Sequence, residues 1–174
     1  MSQKKNQNID IVTEFLRESN AIEGVYDDER LDLARLAWDF LTEEYEMKVD
    51  TVLETHRLLM TGKLWESQIG CFRRSNVRVG NEECLDYQHV PRKTAEWVYN
   101  VNNAMKFPRS EADNERASRY WHVRFEKIHP FVDGNGRIGR MLMNWWRHMV
   151  GLPIVVIYEK DKADYYKWFE VLEI

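Results

Sequence analysis

Only two cysteines, Cys71 and Cys84, occur in 174 residues, too few for a disulfide scaffold. Without an export signal they read as reduced thiols of a cytoplasmic protein. The opening residues, Met1-Ser2-Gln3-Lys4-Lys5-Asn6-Gln7-Asn8, lack the apolar stretch of a signal peptide. No run of about 18 apolar residues occurs, which excludes a membrane-spanning helix. Nor is base in excess: 25 Lys and Arg stand against 29 Asp and Glu, a net charge of −4. Counterion release needs a concentrated basic surface, so neither nucleic acid nor an anionic membrane is expected as a partner. Repeats, low-complexity linkers and composition shifts are missing too, so residues 1–174 are expected to form one domain.

What is present is apolar and aromatic. Hydrophobic residues make up 44% of the chain and aromatic residues 13%, enough large side chains to fill a core. Spacings of three and four dominate. Leu31, Ala34, Ala37, Trp38, Leu41 and Tyr45 share one helix face, and Val49, Val52, Leu53, His56, Leu59 and Met60 another, stopped by Thr61-Gly62. Pro91 opens a helix carrying Trp97, Val98, Val101 and Met105. Ser110 and Asp113 resemble a capping box ahead of Ala117, Tyr120, Trp121, Arg124, Phe125 and Ile128. Further helices are expected from near Gly136 to Met149, from an Asp161 cap through Ala163, Tyr165, Tyr166, Phe169 and Leu172, and early on from Ile11 to Arg17. Val77-Arg78-Val79-Gly80 alternates instead and predicts a short hairpin. The fold class is therefore all-α, with a small β flap.

The chemistry concentrates in His129-Pro130-Phe131-Val132-Asp133-Gly134-Asn135-Gly136-Arg137-Ile138-Gly139-Arg140. Glycines at a helix start expose backbone amides, and the helix dipole favours an anion there. Arg137 and Arg140, three apart, share a face and can clamp phosphate oxygens. Asp133 is a hard oxygen ligand suited to Mg2+ bridging phosphates. His129, four residues before it, can accept a proton at neutral pH. Base, metal ligand, anion cradle and cation pair point to phosphoryl or nucleotidyl transfer. Taken singly, each has a plainer reading: a turn histidine, an Asp-Gly-Asn-Gly loop, a solvated arginine pair.

This stretch resembles the signature of the Fic (filamentation induced by cAMP) family, His-x-Phe-x-Asp/Glu-Gly-Asn-Gly/Lys-Arg-x-x-Arg. The resemblance covers most of the chain and implies a compact helical enzyme that transfers AMP from ATP, with Mg2+, to a Ser, Thr or Tyr hydroxyl of a target protein. His129 is then the base and Asp133 the Mg2+ ligand. Gly134, Asn135 and Gly136 form the anion hole, Asn135 also offering its amide, and Arg137 and Arg140 clamp the β- and γ-phosphates. Val77, Arg78, Val79 and Gly80 resemble the flap that docks the target by strand addition. Tyr165 and Tyr166 match aromatic positions near the base, where packing in a helix stripe is an equal alternative. Glu173 stands where a polar amide is usual, which leaves base selectivity open.

A second pattern, Ser19-Asn20-Ala21-Ile22-Glu23-Gly24, resembles the family's inhibitory motif on an N-terminal helix. By that resemblance residues 1–28 carry a brake on the catalytic core 29–174, with Ser19 and Gly24 in the motif and Glu23 paired to Arg140. The plainer reading is a turn capped by Ser19. Whether Glu23 also aligns a water for AMP removal stays open. Transfer of phosphate or phosphocholine, or a non-catalytic, antitoxin-like interaction module, are the alternatives. Self-modification and a homodimer are further partner readings. Arg73, Arg74 and Arg78 read as a basic surface patch beside the flap, and His56 and His122 as structural. Cys71, Cys84, His56 and His89 lack paired zinc spacing.

Overall fold

The computed structural model describes residues 10–107 and 109–171. Leu172 and Glu173, which figure in the expectations above, lie outside them. The order is α1 (Ile11–Ile22), α2 (Asp28–Thr42), α3 (Val49–Met60), β1 (Arg78–Val79), β2 (Glu82–Glu83), α4 (Val90–Met105), α5 (Glu111–Ile128), α6 (Asn135–Met149) and α7 (Lys162–Val171). Short 3-10 turns at Tyr87–His89 and Glu159–Asp161 lead into α4 and α7. The all-α class with a small hairpin is as expected.

Helix α6 is the axis, packed by α1, α2, α3 and α5. Trp145 and Trp146 are buried in its C-terminal half, and the Trp145 indole donates to the Glu44 carbonyl at 2.8 Å. Both polar ends of the Asn144 amide bond Val155, tying down the chain that leaves α6. At the start of α5, Ser110 Oγ accepts from the Asp113 N–H at 3.1 Å, the cap read from sequence.

Four boundaries and faces differ from expectation. Helix α1 runs past Arg17 to Ile22, because Ser19, Asn20, Ala21 and Ile22 are buried against the bundle. Tertiary packing extends a helix that local propensity would stop. Tyr45 lies beyond α2 and is exposed, and on α5 it is His122 and Val123, not Tyr120 and Arg124, that face inward. Asp161 ends a 3-10 turn that runs directly into α7 rather than capping it. The hairpin pairs Arg78 with Glu83 and Val79 with Glu82, with Gly80-Asn81 as its turn. Val77 precedes the strand yet extends the ladder, its carbonyl accepting from the Cys84 N–H.

Candidate functional site

The site forms where α5 ends and α6 begins. His129 caps α5 in the left-handed region, φ 50 and ψ 62, and is the one described non-glycine residue with positive φ. Such a conformation is unfavourable by order 1 kcal/mol and needs outside support. Arg73 supplies it. Its Nε donates to the His129 carbonyl at 2.7 Å, its backbone N–H to the Pro130 carbonyl at 2.9 Å, and its other guanidinium nitrogens to Ser75, Leu85 and Ile128 carbonyls. The expected basic surface patch is thus corrected at Arg73, which is buried and joins the hairpin's base to the loop between α5 and α6. Four carbonyls hold a side chain that sequence alone reads as solvated.

Below the loop, His56 stacks on Phe131 at 3.7 Å. Its Nδ1 accepts from the Gly70 N–H, so its Nε2 donates to the Asp133 carbonyl. Burial first, and the Arg137 charge, hold its pKa down at about 4. This neutral, doubly bonded ring is structural, as expected. The Asn135 amide donates to the Phe131 carbonyl while its oxygen accepts the Phe131 N–H, both at 2.9 Å. One amide N–H of Asn135 and its oxygen thus close the loop, which leaves its second N–H and the backbone amides for the cradle.

Gly134 is the N-cap of α6 at φ 85, and a Cβ there would meet Met60 Sδ at 2.9 Å. With no capping side chain, the first-turn amides stay open to an incoming anion. Arg137 is 1% exposed; one nitrogen reaches Met60 Sδ at 3.3 Å and lies 3.8 Å from Asp133, while Nε and Nη1 are buried without partners. A buried guanidinium left so under-satisfied is costly unless an anion completes it. Asp133 is half-exposed and 3.4 Å from Lys63. Burial would raise its pKa, but the Gly134 N–H, Lys63 and Arg137 outweigh that and lower it, keeping it ionised.

Arg140, also 1% exposed, is occupied by α1. Its Nε donates to Ser19 Oγ and its Nη2 to the Ser19 carbonyl, both at 2.9 Å, and Nη2 meets Glu23 Oε1 at 2.7 Å. The ion pair anticipated between Glu23 and Arg140 is present. Ser19 lies inside the helix rather than capping a turn, and Gly24 follows the helix end with positive φ. A Cβ on Gly136 would stand 2.5 Å from Glu23 Oε1 and 3.0 Å from Arg140 Nη1, so the carboxylate sits directly against the first turn of α6.

A cavity of about 720 Å3 is lined by Glu23, Glu126, His129, Gly136, Arg140, Tyr165 and Tyr166 together with the hairpin residues Val79 and Glu82, while Asp133, Gly134, Asn135 and Arg137 lie outside its lining. Burial first holds the His129 pKa below its ordinary value, a hydrogen bond with the Glu126 backbone opposing, so the ring is neutral near pH 7. Tyr166 is 47% exposed, whereas Tyr165 is buried and spends its hydroxyl on His122 at 2.8 Å and Arg140 at 3.3 Å. Sequence reasoning missed Arg73, Met60, Lys63 and Glu126. Only Glu126 left a signal, as a carboxylate one turn beyond His122 on a helix that packs inward.

An uncapped glycine start to a central helix, two buried arginines and a neutral imidazole at the preceding helix end together have the chemistry of an anion site beside a proton acceptor. A model of the Fic/DOC family matches residues 46–146, and the chain belongs to that family. It is 30% identical over 135 residues to the protein adenylyltransferase Fic of Drosophila persimilis, covering 75% of this chain and 25% of that protein. The chain thus spans about a quarter of the length of the curated relatives it matches. Among solved structures, a Fic domain containing signaling protein from Bacteroides thetaiotaomicron aligns with TM-score 0.75 at 22% identity, over 90% of this chain and 70% of that one. Fic-1 of C. elegans, residues 134–508, aligns at 0.71 and 21% identity, over 94% and 56%. Among the described residues no helix is long and apolar enough to cross a membrane.

Proposed function

We propose that the chain transfers AMP from ATP to a hydroxyl side chain of a target protein, and that Glu23 restrains it. One observation carries this reading: the Glu23 carboxylate already sits as an anion at the entrance of α6, on Arg140 and against Gly136. The name shared by the curated relatives, protein adenylyltransferase Fic, supports it.

In this reading the triphosphate displaces that carboxylate, and the first-turn amides, Arg137 and Arg140 hold its oxygens. The target hydroxyl attacks the α-phosphorus and passes its proton to the His129 imidazole. A new O–P bond forms, the α–β phosphoanhydride bond breaks, and pyrophosphate leaves. A neutral positioned base contributes about two to four orders of magnitude. Preorganised donors stabilise the charge that develops. Asp133, ionised and half-exposed, fits as the ligand of Mg2+, which when bound supplies positive charge to the phosphates. Among the described residues no cluster of three or more His, Cys, Asp or Glu could hold a metal, so one carboxylate with phosphates and water would complete the shell.

The exposed hairpin suits a target segment added as a further strand. The half-exposed Tyr166 ring at the cavity suits the nucleotide base; Tyr165, by its burial, supports Arg140 instead. The thiols of Cys71 and Cys84 are unpaired, in keeping with a reducing, cytoplasmic setting. The Glu23→Gly form, incubated with ATP, Mg2+ and cell lysate, should yield proteins heavier by one AMP, and a His129→Ala control should yield none. Adducts with the mass of phosphate or phosphocholine, or labelling that survives in the control, would overturn the reading.

A further inference from the structure

A chain of polar groups runs from Arg140 along the wall of the cavity, and its members beyond Arg140 have no role in the chemistry above. Arg140 Nη1 lies 3.3 Å from Tyr165 Oη, which lies 2.8 Å from His122 Nε2. Arginine only donates, so Tyr165 Oη accepts from it and turns its own proton toward His122 Nε2. A neutral imidazole has one donor, so this direction places the His122 proton on Nδ1. That Nδ1 is buried with no partner in hydrogen-bond geometry, and so is Glu126 Oε1, one turn along α5. Both flank Gly139 of α6: a Cβ there would lie 2.9 Å from Nδ1 and 2.1 Å from Oε1. Two orphaned atoms facing one notch, a donor and an acceptor, are each other's natural complement.

We propose that Glu126 is a positioning residue, which acts through His122 and Tyr165 to hold Arg140 in place for the terminal phosphates of the nucleotide. The inference rests on the nucleotide reading above and gives a role to a carboxyl that lines the cavity three residues before the base with one oxygen, Oε1, buried. Burial, helped by the Glu23 charge against the pull of Arg140, pushes the Glu126 pKa up to about 8. Burial and then Arg140 hold His122 at about 3, against an opposing interaction with the Gly139 backbone. Both groups are therefore uncharged near pH 7, and the chain orients Arg140 without neutralising it. When Glu23 withdraws, Tyr165 remains on the guanidinium, which keeps its full charge for phosphate.

The test uses the Glu23→Gly form as parent and measures ATP affinity by calorimetry, kcat and KM by transfer, and the His122 ring by nitrogen NMR. Glu126→Gln, a neutral group with the same reach, should keep parental affinity. Glu126→Leu and Tyr165→Phe should each weaken ATP binding about three- to tenfold, the worth of one hydrogen bond, with kcat within twofold. Together they should cost no more than either alone. NMR should report the Nδ1–H tautomer in the parent and its loss in Glu126→Leu, with thermal melts establishing that each variant folds. Parental ATP affinity in folded Glu126→Leu, additive effects, or an Nε2–H tautomer in the parent would overturn the proposal. A parent that binds ATP and transfers AMP while these variants do nothing leaves the nucleotide reading intact and removes the relay. A parent that binds no ATP removes both readings, and the tautomer then reports whether the relay exists as structure alone.

Discussion

Replacing Glu23 by glycine should raise activity and lower stability at once. Glu23 caps the C-terminal end of α1, where glycine costs the helix little. What is lost is the 2.7 Å contact with Arg140. A charge-assisted hydrogen bond is worth about 1.5–3 kcal/mol; with the Glu23 side chain 36% exposed, screening reduces that to about 1–2 kcal/mol. Triphosphate must overcome the same amount to take Arg140, so its productive binding, and kcat/KM with it, should rise about 5- to 30-fold. Folding loses the same contact, which in a chain of this size lowers Tm by about 2–8 °C. Transfer of label from ATP, followed beside a thermal melt, reads both. A lower Tm with kcat/KM within twofold of wild type would refute the argument, since the pair would then be structural without restraining anything.

Other outcomes follow from the same geometry. His129→Ala should reduce transfer by about two to four orders of magnitude, while calorimetry finds ATP affinity within about threefold of the parent, because the imidazole accepts a proton rather than holding phosphate. The His129 pKa lies below its ordinary value because the ring is buried. Since the neutral form is the base, kcat should rise with pH through a midpoint below 6.5 and be flat from about 7 to 8. An acidic limb centred above 7 in the pH–rate profile would contradict this. Gly139→Ala would force a Cβ to within 2.1 Å of Glu126 Oε1. The α5–α6 contact should loosen by about 1–3 kcal/mol, visible as a lower denaturation midpoint, whereas alanine at the open position Gly151 crowds nothing within 4 Å and strains only its own backbone.

Much of the site was legible because it is local. Glycines, arginines and the imidazole fall within twelve residues, and helix periodicity at once puts Arg137 and Arg140 on one face. The Glu23–Arg140 pair spans more than a hundred residues and was reached through a motif rather than through pattern. The part of Asn135 in closing the loop on the Phe131 backbone is one that residue type does not reveal. Tyr165 and Tyr166 are neighbours of one kind in the sequence, and both line the cavity, yet α7 buries Tyr165 against His122 and Arg140 and leaves Tyr166 half-exposed.

Amino-acid order by itself determined the helical class, the glycine-bent entrance to α6 and the identity of the charges around it, since these depend on residues a few positions apart. The bundle alone decided which charges lose water. Arg73 became the support of a left-handed His129, Glu126 became an uncharged acid against Gly139, and a carboxylate from α1 came to rest on Arg140. Desolvation depends on what the rest of the chain packs overhead, and spacing along a helix carries no record of that.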